Sequence, residues 1–306
     1  MAAISRAQLL KELLPGLNAL FGLSYKSYDE QHKAIYEIEN SDRSFEEEVK
    51  LSGFGSAPVK AEGAAMVYDS AQESYIARFT HETIVLGFSL TEEAVEDNLY
   101  DSLSARYTKA LARAMAYTKQ VKAAAVLNSG FTAVGGDGVA LFSASHPLVG
   151  GGLNSNLGTA ADLSETTLEA AVIQINQWTD ERGLLIVAKP KKLVIPPQLQ
   201  FVATRLLETS LRTSASAINT FAPNDINALK NNGIFPGGYV VNNYLTDVNG
   251  YFICTDVPNG MKMFVRVPMK TGMDADFDTG NARYKARERY SFGVSDFLGV
   301  WGSAGS

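Results

Sequence analysis

Three histidines, two serines beside one of them, a run of aspartates and a lone thiol are the side chains whose types could do chemistry in this chain. His32, His81 and His146 stand far apart. None falls in a spacing such as HExxH, which sets two imidazoles on one helix face for zinc. Ser143-Ala144-Ser145-His146 places hydroxyls beside an imidazole. A nucleophile and its base are brought together by the fold, however, and rarely by adjacency in sequence. Asp274, Asp276 and Asp278 open like a calcium loop, which needs glycine at its sixth position and a bidentate glutamate at its twelfth. Those positions hold Thr279 and Lys285, so the stretch reads as a solvated acidic loop. Gly53-Phe54-Gly55 begins like a dinucleotide fingerprint, and Pro58 stands where the third glycine belongs. No GxSxG elbow and no P-loop occurs. The residues point to no catalytic group, no cofactor and no metal, so the expectation is a protein that is not an enzyme.

One charged constellation remains. Lys285, Arg287 and Arg289 alternate along an expected strand and so share a face, with Tyr284, Ala286, Glu288, Tyr290 and Phe292 on the other. The basic strip reads as a solvated or salt-bridged face. Its functional version meets an acidic surface on a neighbouring subunit, with Glu46, Glu47 and Glu48 as candidate partners, or faces nucleic acid.

Composition bounds the classes. The 306 residues are 46% hydrophobic and 20% charged, enough for a real core. A net charge of -6 and a pI near 5.2 oppose nucleic-acid binding through overall charge and leave a local basic strip open. Cys254 is the single cysteine, so no internal disulfide forms and a reducing compartment is expected. The N-terminus lacks the pattern of a signal peptide, and no apolar run reaches the ~20 residues of a membrane span. Folding in a cytoplasm, with no membrane, is the expectation.

The elements that position these residues are organised around one long helix, predicted over 91–129. Thr91 serves as N-cap, and Glu92, Glu93 and Glu96 face the positive end of the helix dipole. Lys119 and Lys122 lie towards the other end, and Gly130 is the stop. Val95, Leu99, Leu103, Tyr107, Ala110, Ala114, Tyr117, Val121 and Ala124 form the expected inward stripe. A rod of this length spans ~55–60 Å. It is a coiled-coil seam, a bundle member or the backbone of an extended subunit; the scarcity of Leu and Ile at heptad positions argues against the first. Before it, residues 5–14 form a leucine-rich helix with Leu9 and Leu13, ended or kinked at Pro15-Gly16 and continued in character by Phe21. This segment packs on its own domain or docks on a neighbouring subunit. Residues 51–74 read as a glycine-punctuated loop tip. Residues 75–88 then read as a strand of about 45 Å, too long for one compact domain, or as two strands broken near His81. After a glycine-rich loop at 130–163, a helix capped by Ser164 runs to about 180. Strands are expected at 184–188, 192–195, 239–242, 251–255, 261–266 and 283–301, with a helix over 198–210. The class is α+β.

The order of these parts resembles a tailed-phage major capsid protein of the HK97-type fold, most like the Mu-like major head subunits. Four stretches carry the resemblance: residues 75–98 (YIARFTHETIVLGFSLTEEAVEDN), 141–156 (LFSASHPLVGGGLNSN), 190–197 with its following helix, and 284–302 (YKARERYSFGVSDFLGVWG). The resemblance implies an N-terminal arm at 1–44 and an extended β-hairpin, the E-loop, at 45–90. The spine helix and following loop of the P-domain take 91–163, a mixed A-domain takes 164–282, and a C-terminal P-domain strand takes 283–306. It implies a structural subunit of pentamers and hexamers in an icosahedral shell around double-stranded DNA, held without sequence recognition. Its site would be the virion capsid, with assembly in the bacterial host cytoplasm. A separate scaffolding protein, a maturation protease, a portal and a decoration protein are the implied partners. An encapsulin-type compartment with protein cargo is the alternative. By the same resemblance, subunits touch through Leu9, Leu13 and Phe21 of the arm, Lys60, Tyr68, Tyr75 and Phe79 of the E-loop, and Lys285, Arg287 and Arg289 of the last strand. Some relatives cross-link an E-loop lysine to an asparagine of another subunit. Lys60 lies in the tip, but no C-terminal asparagine matches the partner.

Overall fold

Alternation along the basic strand builds the centre of the longer-stranded, and so larger, of two four-stranded sheets. In the computed structural model, which describes residues 6–91, 100–211, 226–275 and 281–306, Ala282, Tyr284, Ala286, Glu288 and Tyr290 are buried while Arg283, Lys285 and Arg287 are exposed. The chain enters through α1 (Arg6–Lys26) and a 3-10 turn (Gln31–Ala34), then β1 (Glu37–Asn40), β2 (Phe45–Leu51), β3 (Glu73–Thr80) and β4 (Glu82–Leu90). The long helix α2 (Tyr100–Asn128) follows, then the two-residue strands β5 (His146–Pro147) and β6 (Leu153–Asn154), and α3 (Glu165–Asn176). The remainder is β7 (Pro190–Ile195), α4 (Gln200–Glu208), α5 (Ala228–Asn231), β8 (Tyr239–Val241), β9 (Tyr251–Thr255), β10 (Met261–Ala275), β11 (Ala282–Val294) and β12 (Val300–Ser303). The larger sheet has the order β1-β10-β11-β4, and the smaller one β12-β9-β7-β8.

Helices α1 and α2 lie on one face of the larger sheet. Leu17 and Phe21 of α1 pack with Leu111, Ala112 and Met115 of α2 against Tyr284 and Ala286. The inward face of α2 is Ser104, Thr108, Leu111, Ala112, Met115, Ala116, Gln120, Ala123, Ala124 and Leu127. This corrects the expected stripe. Tyr107 is 48% exposed and Tyr117 58%, Ala110 is exposed, and only Ala124 of the described stripe residues is fully buried. Close approach of a helix to a sheet selects Ala, Ser and Thr, and a pattern weighted towards large apolar residues picks the neighbouring face. The expected acidic first turn, with Glu92, Glu93 and Glu96 and the stripe residues Val95 and Leu99, lies outside the described residues.

Of the two readings of 75–88, the two-strand one holds. β3 pairs with β2 in a separate hairpin, while β4 pairs with β11. The break falls at His81, a buried residue whose ring nitrogens lie 2.8 Å from Ser41 Oγ and 2.9 Å from Ser291 Oγ. The expected strand over 184–188 is absent apart from one bridge between Leu185 and Thr179; Leu185 and Val187 are exposed. No neighbouring strand offers them a ladder. The last expected strand also divides. β11 ends at Val294, a turn capped by the Asp296 carboxylate (2.9 Å from Leu298 N) reverses the chain, and β12 joins the smaller sheet. That sheet is covered by α3, whose cap is reciprocal: Ser164 Oγ accepts from Thr167 N (3.3 Å) and Thr167 Oγ1 accepts from Ser164 N (2.9 Å). Leu168, Val172, Ile175 and Trp178 point into the core as expected.

Gln120 of α2 fastens the 3-10 turn. Its side-chain oxygen accepts from the His32 backbone N–H (3.1 Å), and its amide donates to His32 Nδ1 (2.8 Å). The imidazole is therefore neutral with its proton on Nε2. Burial, with Lys119 nearby, lowers its pKa from 6.5 to about 4. Between those values the unfolded chain binds a proton that the folded chain does not, so stability is lost as pH falls through this window. His32→Gln is expected to flatten the slope of urea midpoint against pH between about 6.5 and 4. An unchanged slope would place the pH dependence elsewhere.

Candidate assembly interface

The β2–β3 hairpin carries apolar groups that its own fold leaves uncovered. Its base is fixed on the outer face of the larger sheet, away from α1 and α2. Phe79 packs edge-on against Phe264 with ring centroids 4.8 Å apart, and Lys262 Nζ lies 2.5 Å from Glu48 and 2.9 Å from Glu39. On the other side, Lys50 Nζ sits 2.8 Å from Asp296 and 3.2 Å from Glu181, over the Phe297 ring. The loop at 52–72 leaves this anchor with Phe54 62%, Val59 100%, Met66 62% and Tyr68 85% exposed. Apolar groups this bare mark a contact surface. The loop is held back at its root: Asp69 Oδ2 accepts from Gly55 N at 2.8 Å, and Arg182 donates to Ser70 O at 2.6 Å. Backbone N–H groups of Gly55 and Ser70 keep the Asp69 carboxyl below the usual range.

Of the residues expected between subunits, Lys60 and Tyr68 are exposed on this loop. Phe21 and Phe79 are not available: each is 3% exposed and buried in its own subunit. Tyr75 is half-buried, with its hydroxyl donating to Ser295 O (3.2 Å). Phe21 and Phe79 are corrections, and their physical reason is the same: α1 and the hairpin base bury these rings against the subunit's own core. Leu9 and Leu13 fall within α1, and their side chains lie outside the described residues. On β11, Lys285 and Arg287 are exposed and Arg289 is half-buried, with Lys270 of β10 directly opposite Arg287. Among the described residues neither Lys285 nor Arg287 has an ion-pair partner. The suggested acidic partners are engaged inside the subunit: Glu46 accepts from Ser41 Oγ (2.6 Å), Glu47 lies 3.7 Å from Arg78, and Glu48 holds Lys262. Glu288 turns to the helix face, 2.5 Å from Lys119 Nζ.

The histidine beside the serines does a different job from the one its neighbours suggest. Ser143 and Ser145 hydroxyls lie 3.2 Å from each other. The His146 ring is stacked on Phe297 at 3.9 Å, with Nδ1 on the Asp137 carboxylate and Nε2 3.0 Å from Asn156 Oδ1. Asn156 is fully buried and ties three segments: its amide lies 2.7 Å from Leu141 O, 3.1 Å from Phe297 O and 3.0 Å from Val300 O. Nothing in a lone Asn between Ser and Leu announces this. Among the described residues no group of three His, Cys, Asp or Glu side chains is arranged to hold a metal. Asp276, Asp278 and Thr279 of the aspartate run lie outside them.

Residues 76–303 match the model of the phage capsid protein family. The chain belongs to that family. Solved capsid chains share the fold of this capsid protein at low sequence identity. The capsid of cyanophage P-SCSP1u is 10% identical over 89% of this chain and 86% of that one, with a TM-score of 0.58. The capsid of Myoviridae phage XM1 is 14% identical over 90% of each, at 0.55. A virus-like particle from Pyrococcus furiosus is 11% identical over 95% of this chain and 99% of that one, at 0.53. No curated protein sequence matches. The architecture is thus the HK97-type α+β capsid fold, and the capsid protein is a structural, shell-forming subunit of a bacteriophage head.

Proposed function

We propose that the capsid protein is a Mu-like major head subunit whose pentamers and hexamers close an icosahedral shell around double-stranded DNA in the host cytoplasm. The Mu-like assignment rests on the four stretches at 75–98, 141–156, 190–197 and 284–302. A separate scaffolding protein, a maturation protease, a portal and a decoration protein complete the assembly. In this reading residues 1–44 are the N-arm and the hairpin up to His81 is the projecting E-loop. The larger sheet with α2 is the P-domain, and the smaller sheet with its helices is the A-domain. Leu9 and Leu13 of the arm, Lys60 and Tyr68 of the loop, and Lys285, Arg287 and Arg289 of β11 meet neighbouring subunits.

The observation that carries the proposal is the bare apolar loop on an anchored hairpin, because its exposed side chains have no cover within one subunit. Replacing residues 54–68 by a short Gly-Asn turn leaves the base contacts of Lys50, Phe79 and Lys262 in place. The variant is expected to melt as the parent does and to form no shells when co-expressed with the scaffolding protein. Shells of normal size from this variant would contradict the loop assignment. Parent shells that carry protein cargo and no DNA would shift the reading to an encapsulin-type compartment.

A further inference from the structure

We infer that the solvent face of the spine helix α2 is the surface against which enclosed duplex DNA lies, held by phosphate contacts from Arg106, Lys109 and Arg113. The inference rests on the DNA-enclosing reading above and adds the surface and the residues. From Ser104 to the end of α2 the sequence holds five cations and no carboxylate, in a chain whose net charge is -6. The two cations that turn towards the sheet are neutralised: Lys119 by Glu288 and Lys122 by Glu82. Arg106, Lys109 and Arg113 are exposed, and among the described residues none has an ion-pair partner.

Their spacing of three and four puts them on one stripe, about 10 Å from first to last. Exposed Ala110 lies between them, and exposed Tyr107 and Tyr117 lie alongside. The sheet has two sides. The hairpin base and the Lys285–Arg287 strip occupy the one opposite the helices, so the β2–β3 hairpin and the α2 stripe face opposite ways. Long side chains on a convex helix, with nothing shaped to enter a groove, fit phosphates and no base sequence. Three phosphate contacts give a slope of log affinity against log salt near -2.7, or about 40-fold weaker binding between 50 and 200 mM salt. Each subunit binds weakly, and the lattice multiplies the contacts.

The test uses DNA-filled heads and the unassembled subunit. Formaldehyde cross-linking of filled heads is expected to join Lys109 to DNA. The triple variant Arg106→Gln, Lys109→Gln, Arg113→Gln is expected to form shells of parental size and melting temperature. Its subunit is expected to lose the 40-fold salt effect on binding to a random 30-base-pair duplex. Cross-links at Lys270 or Lys285 instead would overturn the inference and place DNA on the sheet side. A variant that folds but forms no shells would overturn it by making the stripe a subunit contact. Heads that contain no DNA would overturn this inference together with the reading it rests on; filled heads cross-linked elsewhere would overturn this inference alone.

Discussion

Asn156→Ala is expected to lower the unfolding free energy of the subunit by about 4 kcal/mol, read as a shift in urea midpoint. The carboxamide is fully buried, and its amide serves Leu141 O, Phe297 O and Val300 O, while Oδ1 accepts from Ser143 N (3.1 Å) and faces His146 Nε2. Truncation leaves these groups short of a partner in a site closed to solvent, at roughly 1 kcal/mol or more each. Asn156→Asp is expected to be at least as harmful, because an acceptor then faces three carbonyls. The contacts also join the loop after α2 to the turn before β12, so the loss falls on the seam between the two sheets. A change under about 1 kcal/mol would show that the amide is not the tie it appears in the geometry.

Lys119→Met is expected to cost about 3–5 kcal/mol, the usual effect of removing one partner of a buried pair. Glu288 is 1% exposed, Lys119 Nζ is its counter-charge, and the ammonium also reaches the Tyr25 hydroxyl at 2.6 Å. Burial already raises the Glu288 pKa above 4.5, and Lys119 opposes that rise. Without the lysine the carboxyl protonates more readily in the folded chain than in the unfolded one. The deficit of the variant is therefore smallest below about 4.5 and grows as pH rises through the raised folded value. Adding Glu288→Gln removes the uncompensated charge and is expected to restore most of the loss at neutral pH. A double variant no more stable than Lys119→Met would show that packing of the lysine stem, and not charge, is what the site needs.

Much of the fold was legible because it rests on local chemistry. The Ser164 cap and the long uninterrupted α2 follow from capping and propensity. The alternation of β11 predicted which of its side chains face the helices, including the turn of Glu288 away from the arginines. The rest has non-local causes. The break at His81, one of two readings of its sequence, is decided from a distance, because Ser41 and Ser291 claim both ring nitrogens. Residues 184–188 have strand composition and no strand beside them. The stretch 283–301 divides at the turn capped by Asp296, after which Gly299 packs so close to Gly260 that a Cβ on it would stand 2.2 Å from Gly260 Cα. Exposure at the proposed contact residues was legible in part. Loop tip and basic strip are exposed as expected, whereas Phe21 and Phe79 belong to the subunit core, since an apolar ring in a terminal arm reads the same whichever surface covers it.

The most direct test of the central account is negative-stain microscopy of the chain co-expressed with its scaffolding protein. Closed, uniform icosahedral shells are expected. A folded subunit that stays monomeric or forms only small oligomers under those conditions would contradict it.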